Sequence, residues 1–285
     1  MRLEHFPRIE IALRQWLKSY RRESRLAKAY AMPWIKDTKP DFLGIGAPRS
    51  ASTWLHNRLA THPRVYLPRE KELHFFDFMD KSGIDYRYSL GSPIHRRWYS
   101  LCFSSAHDMI RGEVTPAYSI LPEARIREIA AYLPEIKIIY ILRNPIERAW
   151  SGLRRRTWYG SGERAGESDL QHLLAMAKAP DVIVRGDYRR NIVQWERVIP
   201  PDRMHYIFYD DVKSDGRNEL EKTCRFLGVD SQLLPEEPAA SNPPNFSPPS
   251  KMPEEVRQQL ISIYSEDRGF LEDKFDRTLE HWYAN

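Results

Sequence analysis

The stretch Asp41-Phe42-Leu43-Gly44-Ile45-Gly46-Ala47-Pro48-Arg49-Ser50-Ala51-Ser52-Thr53-Trp54-Leu55 decides how the chain is read. The apolar run from Phe42 to Ile45 has the length and composition of a buried strand, and the Gly/Pro/Ser segment after it reads as a turn opening into a helix. Backbone N–H groups at a helix start have no intrahelical partner and the helix dipole favours negative charge there, so this junction suits a phosphate or sulfate. Ser50, Ser52 and Thr53 add hydroxyls. A nucleotide triphosphatase loop would need Gly-Lys-Ser/Thr where this chain has Ala51-Ser52-Thr53. Arg49, the only nearby cation in the sequence, precedes the helix and would meet the anion from the loop.

Working outward, strand and helix signals alternate. Short strands are expected at 41–46, 64–67, 109–114, 136–142 and 204–208, with helices near 51–61, after Pro122, from Asn144-Pro145, and near 168–178, 188–198 and 216–227. In Asn144-Pro145 the Asn can cap free N–H groups and Pro is tolerated in the first turn. The pattern predicts a single α/β domain with a central parallel β-sheet flanked by helices. Ligands in such sheets sit at the carboxyl ends of strands, where Arg49 and Arg143 both fall. The Pro-rich segment 235–253 is expected to be a long loop, with a helix from 253 onward.

Composition narrows the classes. Residues 1–30 hold eight Lys/Arg against three Glu, which accounts for the whole net charge of +5, so the rest is neutral and no broad nucleic-acid-binding face is expected. Leu3, Phe6, Ile9, Leu13, Trp16, Leu17 and Tyr20 recur at helical spacing, and residues 1–38 are read as a basic amphipathic extension to a domain at 39–285. Docking on that domain is the plainer role for the helix; peripheral membrane contact through residues 1–30 is the sharper one. Two distant cysteines, Cys102 and Cys224, give no metal-ligand spacing, so no metal is expected, and they favour a reducing compartment. No apolar run reaches signal-peptide or membrane-spanning length, and a cytoplasmic location is the default.

A second constellation is Ile138-Ile139-Tyr140-Ile141-Leu142-Arg143-Asn144-Pro145, with Ser151 eight residues beyond Arg143. A strand delivers the guanidinium to its end and the next helix places a hydroxyl about two turns along, so both can reach one phosphate. Together with Arg49-Ser50-Ala51-Ser52-Thr53-Trp54, this resembles the sulfotransferases that use 3′-phosphoadenosine 5′-phosphosulfate (PAPS). Phe208-Tyr209-Asp210-Asp211 is similar to a family segment whose Tyr lies near the cofactor. Lys71-Glu72-Leu73-His74-Phe75-Phe76-Asp77 and Gly112-Glu113-Val114-Thr115-Pro116 resemble the carbohydrate-modifying, heparan sulfate branch.

The resemblance implies a P-loop-like sulfotransferase fold and sulfuryl transfer from PAPS, leaving adenosine 3′,5′-bisphosphate (PAP), to a hydroxyl or amine of a carbohydrate, lipid or small molecule. It casts Glu72 as catalytic base, with His74 as its neighbour and alternative, and Arg49 as the cation stabilising the leaving phosphate. Arg49, Ser50, Ala51, Ser52, Thr53 and Trp54 would hold the 5′-phosphosulfate; Arg143, Ser151 and Tyr209 would hold the remainder of the nucleotide. Two separate cationic pockets are therefore expected, one for each end. Arg49 stands where the family has Lys, Ala51 where it has Gly, and Val114 where heparan-modifying members have Lys. The last difference weakens the inference of a sulfated, polyanionic acceptor. Tyr86, Tyr88, Trp98, Tyr99, Arg154 to Arg156, Trp158 and Tyr159 are candidates to line an acceptor cleft. A nucleotide-dependent kinase of related architecture is the alternative enzyme, and a non-catalytic nucleotide-binding or membrane-associated scaffold the alternative of another class.

Overall fold

A computed structural model describes residues 24, 27–29, 31–77, 88–161, 165, 169–236 and 249–284. Almost all of the amphipathic segment 1–30, Tyr86, and 237–248 of the Pro-rich segment lie outside these residues, as do the side chains of Tyr88 and Tyr159. Five strands, β1 (Phe42–Gly46), β2 (Val65–Tyr66), β3 (Ile110–Val114), β4 (Lys137–Leu142) and β5 (Met204–Phe208), form one sheet in the order β2-β3-β1-β4-β5. Every pairing is parallel.

The sheet is buried on both faces, as the unbroken apolar run of β4 requires. Ile138, Tyr140 and Leu142 enter one apolar cluster, and Ile139 and Ile141 enter the other. Helices α1 (Ser52–Leu59), α2 (Pro93–Leu101), α3 (Glu123–Tyr132), α4 (Pro145–Ser161), α5 (Leu170–Ala177) and α6 (Tyr188–Glu196) fall between or beside the strands. A third cluster, with Ile146, Trp150 and Leu153 on α4, packs against Val256, Leu260 and Tyr264 of the helix Glu254–Tyr264. Glycine matters at Gly112, where a Cβ would fall 2.1 Å from the Phe42 ring, so its absence lets that ring lie flat across β3.

Several local readings hold at the atomic level. Asn144 Oδ1 accepts from the N–H groups of Ile146 at 2.9 Å and Glu147 at 3.2 Å, capping α4 as expected. Others need correction. The helix expected near 216 starts at Tyr209, directly off β5, and runs as α7 (Tyr209–Leu227). Asp215 interrupts it with φ −152° and ψ 76°, and its carboxylate caps a second start by accepting from Asn218 N–H at 3.0 Å. The sequence pattern captures the second half alone. The C-terminal helix is divided into Glu254–Tyr264, Asp267–Phe275 and a last turn, Glu280–Tyr283, that buries Trp282.

Candidate active site

Four neighbouring strands, β3, β1, β4 and β5, end on the same edge of the sheet, and each delivers part of the site there. β1 runs into the 47–51 loop and the start of α1. Ala51 closes that loop in the left-handed region (φ 60°, ψ 20°), so the alanine takes up the backbone conformation a glycine would occupy at no steric cost. No side chain caps α1 and no acidic residue lies in its first turn, so its leading N–H groups remain available to an anion.

β4 delivers Arg143. Its Nη1 donates to the Arg49 carbonyl at 2.7 Å, and its guanidinium lies 4.6 Å from the centre of the Tyr209 ring at the end of β5. Tyr188 fixes this strand end from α6: its hydroxyl donates to the Arg143 carbonyl at 2.7 Å and accepts from the Arg143 N–H at 3.2 Å. Sequence reasoning missed Tyr188, because nothing local marks a tyrosine that bonds to backbone 45 residues away. Ser151, buried on α4, accepts from Arg49 Nε at 3.0 Å. Arg49 therefore reaches across to Ser151 and Arg143. The groups expected to form two separate pockets are thus linked through this residue, by its side chain to Ser151 and by its carbonyl to Arg143.

A second cation stands at the start of α1. Lys71 Nζ donates to Ser52 Oγ at 3.2 Å and to Glu72 Oε1 at 2.8 Å. Arg49 is thus not the only cation near the loop, as the sequence suggests; Lys71 arrives from 19 residues beyond Ser52. The 71–77 segment is tied to the sheet edge through the Glu72 N–H, which donates to the Val114 carbonyl at 3.2 Å.

Within that segment His74 Nε2 lies 3.7 Å from Glu72 Oε2, and its Nδ1 is 2.9 Å from Asp77 Oδ2. Burial opposes charge on His74, but the hydrogen bonds to Asp77 and Glu72 outweigh it and push its pKa up to about 9. It is an imidazolium at neutral pH. Burial would likewise raise the Glu72 carboxyl, yet His74 and Lys71 together hold it well below the usual carboxylate range. Glu72 is an anion clamped between two cations.

Beneath this loop is a buried polar network. The Tyr118 hydroxyl accepts from the Phe75 N–H at 2.8 Å and donates to Glu113 Oε1 at 3.1 Å, which also accepts from the Tyr99 hydroxyl at 2.6 Å. Thr115 Oγ1 donates to Glu113 Oε2 at 2.8 Å. Burial pushes the Glu113 pKa up to about 7, against the lowering effect of these three donors. Trp98 and Tyr99, expected in an acceptor cleft, are core residues instead, and Tyr99 stacks on Phe75 with ring centres 4.0 Å apart. They support the loop from below. Arg155 and Arg156 are exposed, and Arg156 pairs with Asp181; Arg154 and Trp158 are partly buried.

Of the six non-glycine residues with positive φ among those described, four are Arg49, Ala51, Glu72 and His74. Such conformations typically cost roughly 1–3 kcal/mol each and persist where the surroundings over-determine them, commonly at functional sites. Here they fall in the two loops that Lys71 joins.

A family model described as the sulfotransferase family matches residues 40–232. The chain belongs to the sulfotransferase family. Human bifunctional heparan sulfate N-deacetylase/N-sulfotransferase 2 is 24% identical over 207 residues, 68% of this chain and 22% of that protein. Human heparan sulfate glucosamine 3-O-sulfotransferase 6 is 28% identical over 193 residues, 67% of this chain and 52% of that one. The chain thus spans about a fifth of the former and half of the latter. Among solved structures, a sulfotransferase from Alicyclobacillus acidocaldarius superposes with a TM-score of 0.67 at 21% identity, covering 87% of this chain and all of the other. Sulfotransferase STF9 from Mycobacterium avium gives 0.55 at 13% identity, over 89% and 81%. These likenesses establish the fold expected from the sequence.

Proposed function

We propose that the chain transfers a sulfuryl group from PAPS to a hydroxyl or amine, and that the acceptor is a carbohydrate, lipid or small molecule of low charge. The convergence of two arms on one sheet edge carries this reading: an Arg49/Arg143/Ser151 arm and a Lys71/Glu72/His74 arm, joined at the uncapped start of α1. The donor set suits a ligand with anionic groups at two ends: guanidiniums and a hydroxyl on one side, an ammonium, hydroxyls and free N–H groups on the other. When bound, PAPS supplies a sulfuryl group already activated on a phosphate leaving group.

The chain's own residues do the rest. Arg143, Ser151 and Tyr209 hold the nucleotide away from the reacting centre. The α1 N–H groups and the Ser52 and Thr53 hydroxyls stabilise negative charge that grows as the donor bond breaks, and removing one such preorganised donor costs on the order of 10²- to 10³-fold in other enzymes. Glu72 Oε2 takes the proton of the acceptor hydroxyl or amine. His74 faces that same oxygen and, through Asp77, is held where it can orient the acceptor.

The heparan sulfate relatives support a carbohydrate acceptor, whereas Val114, standing where heparan-modifying members have Lys, weakens the case for one with dense negative charge. Incubation with ³⁵S-labelled PAPS and pools of neutral glycans, phenols and lipids tests the reading. Label should pass to an acceptor pool; label that stays on the nucleotide while γ-³²P-ATP phosphorylates an acceptor would replace the sulfotransferase with a kinase.

A further inference from the structure

We propose that Tyr118 is a positioning residue for the Glu72 base: its buried hydroxyl, oriented by Glu113, holds the backbone of the 71–77 loop so that Glu72 and His74 face each other at the sheet edge. This role rests on the sulfotransferase reading and deepens it, since nothing in the sequence gives Tyr118 or Glu113 a part.

A tyrosine hydroxyl has one hydrogen to give and lone pairs with which to accept. In Tyr118 that hydrogen goes to Glu113 Oε1 at 3.1 Å, which leaves the lone pairs for the N–H groups of Phe75 at 2.8 Å and Phe76 at 3.4 Å. Glu113 is itself held from two further sides, by the Tyr99 hydroxyl at 2.6 Å and Thr115 Oγ1 at 2.8 Å, and all four side chains are buried. The direction of the Tyr118 hydroxyl is therefore set from beneath the loop.

Its bond lies at a strained point of the chain. Glu72 and His74 sit at positive φ, 64° and 53°, conformations that non-glycine residues keep when their surroundings impose them. The run Glu72-Leu73-His74 is pinned at both ends: the Glu72 N–H donates to the Val114 carbonyl at 3.2 Å, and the N–H that follows His74 is the one Tyr118 accepts from. Leu73, between them, is buried. Without the second tie the peptide after His74 can turn, carrying the imidazole away from Glu72 Oε2 and Asp77 Oδ2, which lie 3.7 and 2.9 Å from its two nitrogens. Tyr99 supplies the contrast. It makes the shorter bond to the same Glu113 oxygen but meets the loop through its ring, stacked on Phe75.

Tyr118→Phe and Tyr99→Phe each delete one hydroxyl and keep the ring. Followed by NMR in the full chain and assigned with His74→Asn, the His74 imidazole should titrate at about 9 in the unsubstituted protein and in Tyr99→Phe. In Tyr118→Phe it should titrate at least about one pH unit lower, a tenfold loss of proton affinity. Turnover of ³⁵S-labelled PAPS with the pool that accepts label should fall ~10-fold or more in Tyr118→Phe, toward the ~100-fold that a displacement of about 1 Å can cost, with affinity for adenosine 3′,5′-bisphosphate kept within about threefold. Tyr99→Phe should keep its turnover although it melts at a lower temperature. An unchanged His74 titration and turnover in Tyr118→Phe, or equal losses in Tyr99→Phe, overturn the assignment. In the unsubstituted chain the Phe75 amide hydrogen should exchange as slowly as those of the central strands, and exchange at the rate of an open loop would overturn it with no substitution made. A chain that passes no label from PAPS to any pool fails as a sulfotransferase, and that failure is seen apart from the His74 titration and the Phe75 exchange.

Discussion

The two arms of the site are built differently. The Arg49/Arg143/Ser151 arm is assembled from strand ends and helix starts, fixed by neutral hydrogen bonds such as Tyr188 to Arg143, and Glu147 lies 4.0 Å from Arg143. The 71–77 arm is an electrostatic chain in which Lys71, Glu72, His74 and Asp77 alternate in sign. The first gathers two guanidiniums and a hydroxyl and suits binding. The second is balanced, so arrival of an anion redistributes its charges, which suits chemistry. Binding strength and reactivity are thereby given to different elements, and substitutions should separate them.

The largest separation is expected at Glu72. Glu72→Gln should lower turnover by ~10²- to 10⁴-fold, the usual worth of a positioned base, while calorimetry shows adenosine 3′,5′-bisphosphate bound at least as well. Wild-type turnover in that variant would move the base elsewhere. Next comes Arg143→Ala, which should weaken nucleotide binding by roughly 10- to 100-fold, as loss of charge-assisted bonds to a phosphate does. Unchanged affinity would remove Arg143 from the binding arm.

Smaller effects come from the groups beneath and within the reactive arm. Glu113 has a folded-state pKa of about 7 against an ordinary value of 4.5, so the folded protein holds more protons and stability should decline as pH rises from about 4.5 through 7. Glu113→Gln should flatten that part of a denaturation-versus-pH curve; an unaltered slope would mean the carboxyl titrates normally. His74, raised from 6.5 to about 9, adds stability that is complete below pH 6.5 and lost as pH climbs through 9. With a side chain 38% exposed it should be the weakest contributor, visible as a shallower alkaline slope in His74→Asn.

How much of this was legible depended on sequence distance. The strand, turn and helix at 42–59 could be read because each signal is local: an apolar run, a Gly/Pro turn, then hydroxyls at a helix start. Strand and helix periods suggested Arg143 and Ser151 as a pair and the resemblance to the sulfotransferases singled them out; the structure links each of them to Arg49. Lys71 was not legible, since its partner Ser52 is 19 residues away and the ties that hold its segment at the sheet edge, such as Glu72 N–H to β3 and Phe75 N–H to Tyr118, are not local. Trp98 and Tyr99 misled because an aromatic ring suits a sugar cleft and a core equally well; the position of Phe75 decides between them. The first turn of α7 escaped notice because β5 runs into it with no linker, and the break at Asp215 resembles a helix start.

A crystal structure with adenosine 3′,5′-bisphosphate bears most directly on the two-arm account. One phosphate should lie within hydrogen-bonding reach of Ser52 and Lys71, and the other within reach of Arg143 and Ser151. A nucleotide with both phosphates on one arm, or bound away from this sheet edge, would contradict it.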